Sequence, residues 1–502
     1  MRRRQYTKIL RNRKERIERR LRNRHQKARA KPMMSAVNIR YEVSGRVEGI
    51  GCGGIGAIHQ LAQGVGLVDG LNRRLNLLKR HSPYFESDHV LNIAYNVLVG
   101  GQRLEDIELR RQDATFLNAL GSSVIPDPTT AGDFTRRFSR DDIETMMDCI
   151  NDARQVVWRF SGRAPFDEAL VDIDGTVAPT YGECKQGMEY SYRGEWGYHP
   201  AVVTLANTGE VLFLENRPGN VASHQGAVER IDQTIALLAP HSRRICLRGD
   251  TAFFLTRHFD RWSDQVDFIF GMDASQKALE LTQALADRSW RPLKRQPKYE
   301  VQTQKRKKPE NVKDRIVCQR EFEKIRMISE HVAEFPYRPG KCKKDYRVVV
   351  CRKNLSIERG EDVLFPDVRY FYYITNRKDL SAAQVVELAN GRCNQENVIE
   401  QLKNGVNAMR MPVDNLLSNW AYMAMAGLAW NLKAWFAMLV PERESSTRLL
   451  RMEFRQFLNS VIRIPCQIVR TGRRIIYRVL AYNAWLRDFL LTWENIRRLN
   501  SA

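Results

Sequence analysis

Cysteine is scarce in this 502-residue sequence, and its positions form no pattern. The nine cysteines are scattered from Cys52 to Cys466, and no two of them form a C-x-x-C pair. This spacing excludes a disulfide framework and a structural zinc site. Free thiols are typical of a reducing compartment and no apolar signal segment opens the chain, so we expect a cytoplasmic protein.

Common catalytic motifs are absent as well. The sequence contains no G-x-x-x-x-G-K-[ST], no H-E-x-x-H and no G-x-S-x-G, and its nine histidines have no metal-ligand spacing. These absences exclude a P-loop nucleotide hydrolase, a zinc protease of the H-E-x-x-H type and a serine hydrolase of the G-x-S-x-G type. A catalytic site therefore has to be sought among other side chains.

Long hydrophobic runs are also few. Only residues 420–440 form a run long enough to span a membrane, and this run contains Asn431 and Lys433. We interpret it as a buried core helix and expect no membrane association. With 43% hydrophobic residues, the chain as a whole has enough apolar side chains to fold.

Acidic residues are outnumbered by basic ones. The chain has 81 Lys and Arg against 58 Asp and Glu, which gives a net charge of +23. Residues 1–32 carry +13 of this excess and residues 281–350 carry +10, so the rest of the chain is neutral on balance. Two basic segments on a neutral body favour nucleic acid over a solubilising face. An anionic membrane is a weaker candidate, because residues 1–32 contain almost no large apolar side chains.

Residues 43–165 have the apolar spacing of helices. Large apolar residues recur every three to four positions, as in residues 91–98 and 143–150. Basic residues at predicted turns, such as Arg110 and Arg136, fit a DNA-reading module, and a plain packing domain would show the same pattern. We predict a helical DNA-binding domain here.

From residue 166 onward the pattern changes to strands. Strands are predicted at residues 169–174, 200–205, 211–214, 245–248 and 266–270, with helices after the third and fourth. Three antiparallel strands followed by a crossover to a parallel strand are the order of the ribonuclease H-like fold. That fold sets the first and fourth strands side by side, so Asp174 and Asp250 at their carboxyl ends should converge. Asp172 is the alternative first acid, because residues i and i+2 of a strand share a face.

A single long helix, predicted from about Ser381 to about Gly405, carries a third candidate acid. At about 100° per residue, Arg392, Glu396 and Lys403 fall within roughly 40° of one another. An exposed ion-pair ladder would have the same pattern, but the preceding fold supplies two converging aspartates and lacks a third acid. Three carboxylates suit hard divalent cations, and two ions about 4 Å apart support phosphodiester chemistry.

The basic insertion before this helix is predicted to contact DNA near the acids, because it leaves and rejoins the core close to them. Trp290, flanked by Arg288 and Arg291, is the aromatic residue predicted to stack on an unpaired base, and filling the small core of the insertion is the alternative. The other basic side chains assigned to DNA are Lys305, Arg306, Lys307 and Lys308 in the insertion, and Arg2, Arg3 and Arg4 in the arm.

These patterns predict an α+β or α/β protein with six regions. They are a basic N-terminal arm (1–42), a helical DNA-binding domain (43–165), the first part of a ribonuclease H-like core (166–280), a basic β-rich insertion (281–366), the second part of the core with the acidic helix (367–412), and a C-terminal helical region with a hairpin (413–502).

The sequence resembles the group-1 DDE-domain transposases of bacterial insertion sequences. The likeness is carried by VDIDGT at residues 171–176, by RGD at 248–250, and by the R-(3)-E-(6)-K spacing of Arg392, Glu396 and Lys403. It extends to DPTTAGDF at 127–134, GYHP at 197–200 and RPGN at 217–220. Related transposases carry a strand-rich insertion before the Glu helix, and a Tyr three residues before the Arg, where this chain has Ala389.

This resemblance implies a cut-and-paste DNA transposase. Asp174, Asp250 and Glu396 would be catalytic and would hold two Mg²⁺ ions, which Mn²⁺ can replace. Water would attack the phosphodiester at the end of the element, and the freed 3′-OH would attack target DNA. Arg392 and Lys403 would bind phosphates near the cut. Such enzymes usually act on double-stranded DNA as homodimers, and this one would work on the nucleoid in a bacterial cytoplasm.

Two other functions stay open. One is a DNA-binding protein derived from such a transposase and without catalysis, against which the intact acids argue, because their charge would repel phosphate. The other is a hydrolytic nuclease on the same fold, which would not need two large basic segments.

Overall fold

The computed structural model describes most of the chain. The described residues are 3–22, 36, 39–42, 45, 47–81, 83–295, 312–320, 323–359, 362–472 and 474–501. They form a mixed α+β structure with many helices and a nine-stranded mixed sheet.

The N-terminal third is mainly helical, as its apolar spacing predicts. Its elements are α1 (Arg3–Arg22), β1 (Gly49–Ile50), α2 (Ile55–Gly64), α3 (Leu67–Arg74), α4 (Glu86–Leu98), α5 (Ile107–Arg111), α6 (Ala114–Leu120), α7 (Pro128–Thr135) and α8 (Arg140–Phe160). Local sequence explains two of the helix starts. The Asp127 side chain accepts from the Thr130 backbone N–H ahead of Pro128, and Ser139 forms a capping box with Asp142.

The middle of the chain alternates strands and helices. Its strands are β2 (Ala169–Gly175), β3 (Ala178–Pro179), β4 (Glu189–Tyr190), β5 (Trp196–Tyr198), β6 (Ala201–Leu205), β7 (Glu210–Glu215), β8 (Ile245–Gly249), β9 (Asp267–Met272), β10 (Arg291–Pro292), β11 (Glu323–Tyr337), β12 (Tyr346–Arg359) and β13 (Asp362–Thr375). Its helices are α9 (Ala227–Leu238), α10 (Thr256–Trp262), α11 (Gln276–Gln283) and α12 (Val312–Gln319).

The central sheet has the strand order β10-β11-β12-β13-β9-β8-β2-β6-β7. β2, β6 and β7 are antiparallel neighbours, whereas β8 lies parallel to β2 and β9 lies parallel to β8. The sequence prediction that the first and fourth core strands are adjacent is therefore confirmed. Asp174 is the next-to-last residue of β2 and Asp250 directly follows β8, so both acids lie at one edge of the sheet.

The strands of the basic insertion continue this sheet. β11, β12 and β13 are 15, 14 and 14 residues long and pair antiparallel. β13 then pairs with β9, so the insertion is joined to the core by main-chain hydrogen bonds, and the boundary expected at residue 366 falls inside β13. Long strands are favoured here by β-branched and aromatic runs such as residues 348–350 and 370–374.

The C-terminal part is again largely helical. Its elements are α13 (Ala382–Asn390), α14 (Cys393–Glu400), α15 (Leu416–Met438), α16 (Arg443–Arg451), α17 (Phe454–Phe457), β14 (Cys466–Thr471), β15 (Arg474–Val479) and α18 (Leu486–Leu499). β14 and β15 form the predicted final hairpin, and β1 pairs with β14 at its edge.

The apolar run near residue 430 forms the central helix α15. Every residue from 418 to 438 is buried, and Asn431 exchanges two hydrogen bonds of 3.0 Å with the backbone of Val211 in β7. The prediction of a buried core helix is confirmed. Among the residues described, none of the helices has the length and apolar character needed to cross a membrane.

The basic helix α1 packs against the C-terminal end of the chain. The Tyr6 hydroxyl donates to the Glu494 carboxylate on α18, and Arg13 Nη1 donates to the Val479 carbonyl at 3.2 Å. Lys8 and Arg16 remain exposed. The arm therefore includes a docked helix that displays positive charge.

One predicted helix is interrupted. The sequence indicated a single helix over residues 381–405, but α13 ends at Asn390, α14 begins at Cys393, and residues 401–405 form a π-helical turn. The Leu388 carbonyl, which a continuous helix would use internally, accepts from Arg248 Nη1 at 2.9 Å. A Cβ on Gly391 would lie 2.8 Å from the same nitrogen, so this close approach requires glycine.

Candidate active site

Asp174 is held at the end of β2 by two neighbours. Its Oδ1 accepts from the Gly175 backbone N–H at 2.8 Å, and its Oδ2 accepts from Arg392 Nη1 at 2.8 Å. The carboxyl side chain is 17% exposed, so solvent still reaches it. Burial raises the pKa of Asp174 above its ordinary value, with a further contribution from the negative charge of Asp250, while Arg392 opposes the rise.

Asp250 lies across the gap between the parallel strands β2 and β8. Its Oδ1 accepts from the Ala252 backbone N–H at 2.9 Å, which caps the 3₁₀ turn of residues 251–253. Asp174 and Asp250 lie at the same end of the paired parallel strands β2 and β8, and the charge of Asp250 contributes to the raised pKa of Asp174. Two acids at one edge create a local negative potential that attracts cations.

Arg392 neutralises this potential in the structure. It immediately precedes α14, and its side chain reaches back to Asp174. Burial opposes its charge, but the carboxylates of Asp174 and Asp250 outweigh that effect and raise the pKa of Arg392. A guanidinium therefore occupies the position in which the two acids require a positive charge.

Glu396 lies exposed on α14, one helical turn after Arg392. Its neighbour Gln395 is buried and fixes the helix to the sheet, because its Nε2 donates to the backbone carbonyls of Asp172 and Val202 at 3.1 and 3.0 Å. Within the described ranges, no group of three or more His, Cys, Asp and Glu side chains is arranged to hold a metal ion. The structure brings two of the three predicted acids together and leaves Glu396 on the adjoining helix.

The donor set nevertheless suits a hard cation. Asp174 and Asp250 offer carboxylate oxygens, which are the ligands that Mg²⁺ prefers. The cationic Arg392 against Asp174 shows that the carboxylates require positive charge at this point. The residues present therefore fit a divalent ion.

Asp172, the alternative first acid, is buried and paired with Arg248. Arg248 Nε and Nη2 donate to its two carboxylate oxygens at 2.7 and 2.8 Å, and the side chains of Asp172 and Arg248 are 1% and 3% exposed. The same guanidinium bonds the Leu388 carbonyl of α13. Arg248 thus joins β2, β8 and the helix that precedes Glu396.

Lys403 remains close to the end of β2, although it does not share an α-helical face with Arg392. It lies in the π-helical turn, and its Nζ donates to the Val177 carbonyl at 2.7 Å. Burial lowers the pKa of Lys403, and the nearby charge of Arg193 adds to that effect. Arg392, Glu396 and Lys403 therefore do not form one helical stripe. Arg392 precedes α14, Glu396 lies on α14, and Lys403 lies in the turn that follows.

Trp290 is packed at the base of the insertion. Its ring lies against the main hydrophobic core, 6.3 Å from the ring centroid of Tyr370, and the Arg352 guanidinium covers it at 4.2 Å. Arg288 and Arg291 are exposed beside it. The packing agrees with the alternative prediction, in which Trp290 fills a core.

The remaining basic residues of the prediction can be described only in part. Arg3 and Arg4 lie in the first turn of α1. Arg2, Lys305, Arg306, Lys307 and Lys308 lie outside the described residues.

Sequence reasoning missed two features of this region. The first is the set of positioning groups Arg248 and Gln395, whose partners are distant in the chain. The second is a small sheet of order β3-β5-β4, which follows β2 directly and carries exposed aromatic side chains. The sequence feature that could have indicated this sheet is the high density of aromatic residues between 181 and 196.

Comparisons with known proteins identify a family and include a partial likeness to a solved structure. The family model for the transposase DDE domain group 1 matches residues 32–501. A solved structure, the cryo-EM structure of a piggyBac transposase synaptic complex with hairpin DNA, is 10% identical with a TM-score of 0.37, and the alignment covers 82% of this chain and 81% of that one. This score is too low to indicate a shared fold. No curated protein matches the sequence.

Proposed function

We propose that this chain, which belongs to the transposase DDE domain group 1 family, cleaves the ends of a bacterial insertion sequence and joins the freed 3′-OH to target DNA. The observation that carries the proposal is the convergence of Asp174 and Asp250 at the ends of adjacent parallel strands, beside a helix that bears Glu396. A protein that only binds DNA has no use for clustered carboxylates next to phosphate.

The core is proposed to be ribonuclease H-like. The strand order β7-β6-β2-β8-β9, with three antiparallel strands followed by two parallel ones, supports this assignment. α9 and α10 connect β7 to β8 and β8 to β9, as crossovers between these strands require.

Asp174, Asp250 and Glu396 are the proposed ligands of two Mg²⁺ ions, which Mn²⁺ can replace. When bound, such ions lower the pKa of water and stabilise the charge of the leaving oxygen. Arg248 and Gln395 fix β2, β8 and α14 relative to one another, so the three acids are held on rigid elements before DNA arrives.

Arg392 is proposed to exchange partners during the reaction. In the structure its guanidinium neutralises Asp174, and on DNA binding it would turn from that carboxylate to a phosphate near the cut. Lys403 lies near the same strand end and would bind a second phosphate.

The partner is proposed to be double-stranded DNA, held by the helical region 43–165, by the basic insertion and by the arm. A homodimer that pairs two ends, acting on the nucleoid in a bacterial cytoplasm, is proposed from the family alone. The exposed basic face of α1 and the exposed Arg288 and Arg291 support the DNA assignment through their charge.

A catalytically inactive, DNA-binding descendant is the second candidate. The observation that favours it is that Glu396 is exposed and joins no three-acid cluster among the described residues. The two candidates differ in one measurable property, which is cleavage.

The test uses a duplex that carries the terminal inverted repeats flanking the coding region. We expect cleavage and strand joining with Mg²⁺ or Mn²⁺ and binding alone with Ca²⁺. Glu396→Gln should abolish cleavage and keep binding, whereas Glu400→Gln, an exposed acid on the same helix, should cleave normally. Retained cleavage in Glu396→Gln contradicts the site. Specific binding without cleavage in the wild type identifies the inactive descendant, and cleavage without joining identifies a nuclease.

A further inference from the structure

Exposed aromatic side chains are concentrated in one short segment. Eight large aromatic residues are exposed in the described part of the chain, and four of them lie between residues 181 and 196. These four are Tyr181, Tyr190, Tyr192 and Trp196, with exposures of 95%, 57%, 69% and 53%. A cluster of exposed apolar surface on a folded protein marks a site of interaction.

The segment contains β4 and the first residue of β5, which belong to the three-stranded sheet β3-β5-β4. Tyr190 on β4 lies directly opposite Trp196 on β5, with the ring centroids 5.6 Å apart and the rings inclined at 66°. Tyr192 lies in the turn between them, and the Arg193 guanidinium lies 5.6 Å from its ring. We call Tyr190, Tyr192 and Trp196 the aromatic platform.

The back of this sheet is closed, which leaves the aromatic rings facing outward. A Cβ on Gly197 would lie 2.3 Å from the Ala178 carbonyl oxygen, and a Cβ on Gly219 would lie 2.3 Å from two carbonyl oxygens of β4 and β5. The backbone of the RPGN stretch thus packs directly on the sheet, and Tyr198 bridges to Pro218. The exposed fractions of Tyr190 and Trp196 agree with rings that face solvent.

The platform lies beside the candidate acids. β3 begins four residues after Asp174, and the Lys403 side chain bonds the Val177 carbonyl between them. On the other side, the charge of Arg193 in the platform turn helps to lower the pKa of Lys403, after the larger effect of burial. The platform and the proposed phosphate ligand Lys403 are therefore neighbours.

The charge of the segment favours bases over phosphates as the bound groups. Residues 181–198 contain Lys185 and Arg193 but also three glutamates, so the segment has no net positive charge to attract a duplex backbone. Aromatic faces stack on any unpaired base, independently of sequence. Bases in an intact duplex are already stacked, so a base must leave the helix to reach such a face.

We propose that the aromatic platform stacks unpaired bases of the DNA strand next to the cleavage point. This inference rests on the proposed function for the identity of the DNA, and it assigns the base-stacking role to Tyr190 and Trp196 in place of Trp290, whose ring is already covered by Arg352. The platform would hold the strand end open while Lys403 and Arg392 bind its phosphates.

The test measures DNA binding in Ca²⁺, so that it does not depend on cleavage. Two probes are compared, a blunt duplex and the same duplex with a single-stranded tail of a few nucleotides carrying 2-aminopurine. Trp196→Ala and Tyr190→Ala should each weaken binding of the tailed probe roughly ten- to hundredfold, leave the blunt duplex unchanged, and restore the 2-aminopurine fluorescence that stacking quenches. Trp196→Phe should retain most of the affinity because it keeps an aromatic face.

Phe160→Ala is the matched control. Phe160 is also exposed, but it precedes β2 and so lies toward the end of that strand opposite to Asp174. It should leave both probes unaffected. Circular dichroism and melting temperature of Trp196→Ala and Trp196→Phe separate a loss of stacking from a loss of folding.

Three outcomes would overturn the proposal. If both alanine variants bind the tailed probe as tightly as the wild type, the platform does not contribute to DNA binding. Equal losses on blunt and tailed probes show a duplex-binding surface instead. A change in sedimentation from dimer to monomer, with DNA affinity per subunit retained, shows an interface with a second copy of the chain. Because no cleavage is involved, none of these results depends on whether Glu396→Gln is active.

Discussion

Asp172 and Arg248 form a buried, bidentate ion pair between β2 and β8. Both carboxylate oxygens accept from the guanidinium, at 2.7 and 2.8 Å, and neither side chain is more than 3% exposed. Both carboxylate oxygens of Asp172 are therefore hydrogen-bonded within the pair. Asp174, two residues further along the same strand, is the acid that solvent reaches. Arg248 also bonds the end of α13, so the pair fixes the position at which the chain turns into the Glu396 helix.

The first prediction separates the two aspartates by phenotype. Asp174→Asn should abolish cleavage with little change in melting temperature, because its carboxylate is partly exposed and contributes to the proposed cation site. Asp172→Asn should destabilise the fold, by up to about 3–5 kcal/mol, because it weakens the pairing of a buried guanidinium. Thermal denaturation and the cleavage assay together decide. A stable, inactive Asp172→Asn beside an active Asp174→Asn would reverse the assignment.

The second prediction concerns the basic arm. Deletion of residues 1–32 should flatten the salt dependence of DNA binding, because the slope of log K against log [salt] falls by about 0.9 for every phosphate that the protein no longer neutralises. The decrease in affinity should be similar on cognate and random duplexes, since binding to phosphates carries no sequence information. Fluorescence anisotropy over a range of salt concentrations measures both quantities.

A substitution in α1 provides the control for that deletion. Tyr6→Phe removes the hydrogen bond to Glu494 but no charge. It should keep the full salt slope. A decrease confined to the cognate duplex after deletion of the arm would instead show that the arm reads bases.

The third prediction concerns Trp290. Because its ring is packed against the core and covered by Arg352, Trp290→Ala should lower stability by roughly 1–3 kcal/mol, less than the 3–5 kcal/mol typical of a fully buried tryptophan. Cleavage should not be rescued when the end nucleotide is made abasic or mismatched. Differential scanning calorimetry and cleavage rates on the modified ends check these points, and rescue at normal stability would return the stacking role to Trp290.

The fourth prediction concerns the pH dependence of stability. Lys433 is fully buried in α15, where its Nζ donates to the Leu450 carbonyl at 2.8 Å and lies 3.9 Å from the Trp430 ring. Burial lowers the pKa of Lys433 to about 7. In the unfolded chain the pKa of this lysine is about 10.4. Between pH 7 and that value, the unfolded chain therefore binds one more proton than the folded chain. The stability contributed by this group should rise with pH across that window by about 1.4 kcal/mol per unit.

The variant Lys433→Met isolates that contribution. It removes the titrating group and keeps a long side chain in the same space, so the free energy of unfolding should lose this rising component between pH 7 and 10. Urea unfolding at several pH values gives the slope. An unchanged slope would show that Lys433 keeps its proton in the folded chain.

The local elements and the candidate acids could be predicted from the sequence. Period-3.6 spacing predicted the helices before residue 165, and the apolar run of residues 420–440 predicted the core helix α15. Strand-forming runs predicted β2 and β6 to β9, and the final hairpin was predicted as well. The position of Asp174 and Asp250 at the ends of strands, and the order of these strands, was enough to predict that the two acids converge. These features depend on neighbours within a few residues or on strand order, both of which a sequence contains.

How those elements meet depends on contacts between segments that are distant in the chain. Asp172 and Asp174 have the same pattern in the sequence, and what distinguishes them is a partner 76 residues away for one and 218 residues away for the other. The break at Gly391 depends on the same Arg248 side chain approaching from β8. The continuation of the central sheet by β13 and the outward face of Tyr190 and Trp196 depend on main-chain packing between distant segments. Periodicity reports which face of an element is apolar, and it contains no information on which distant group will cover that face.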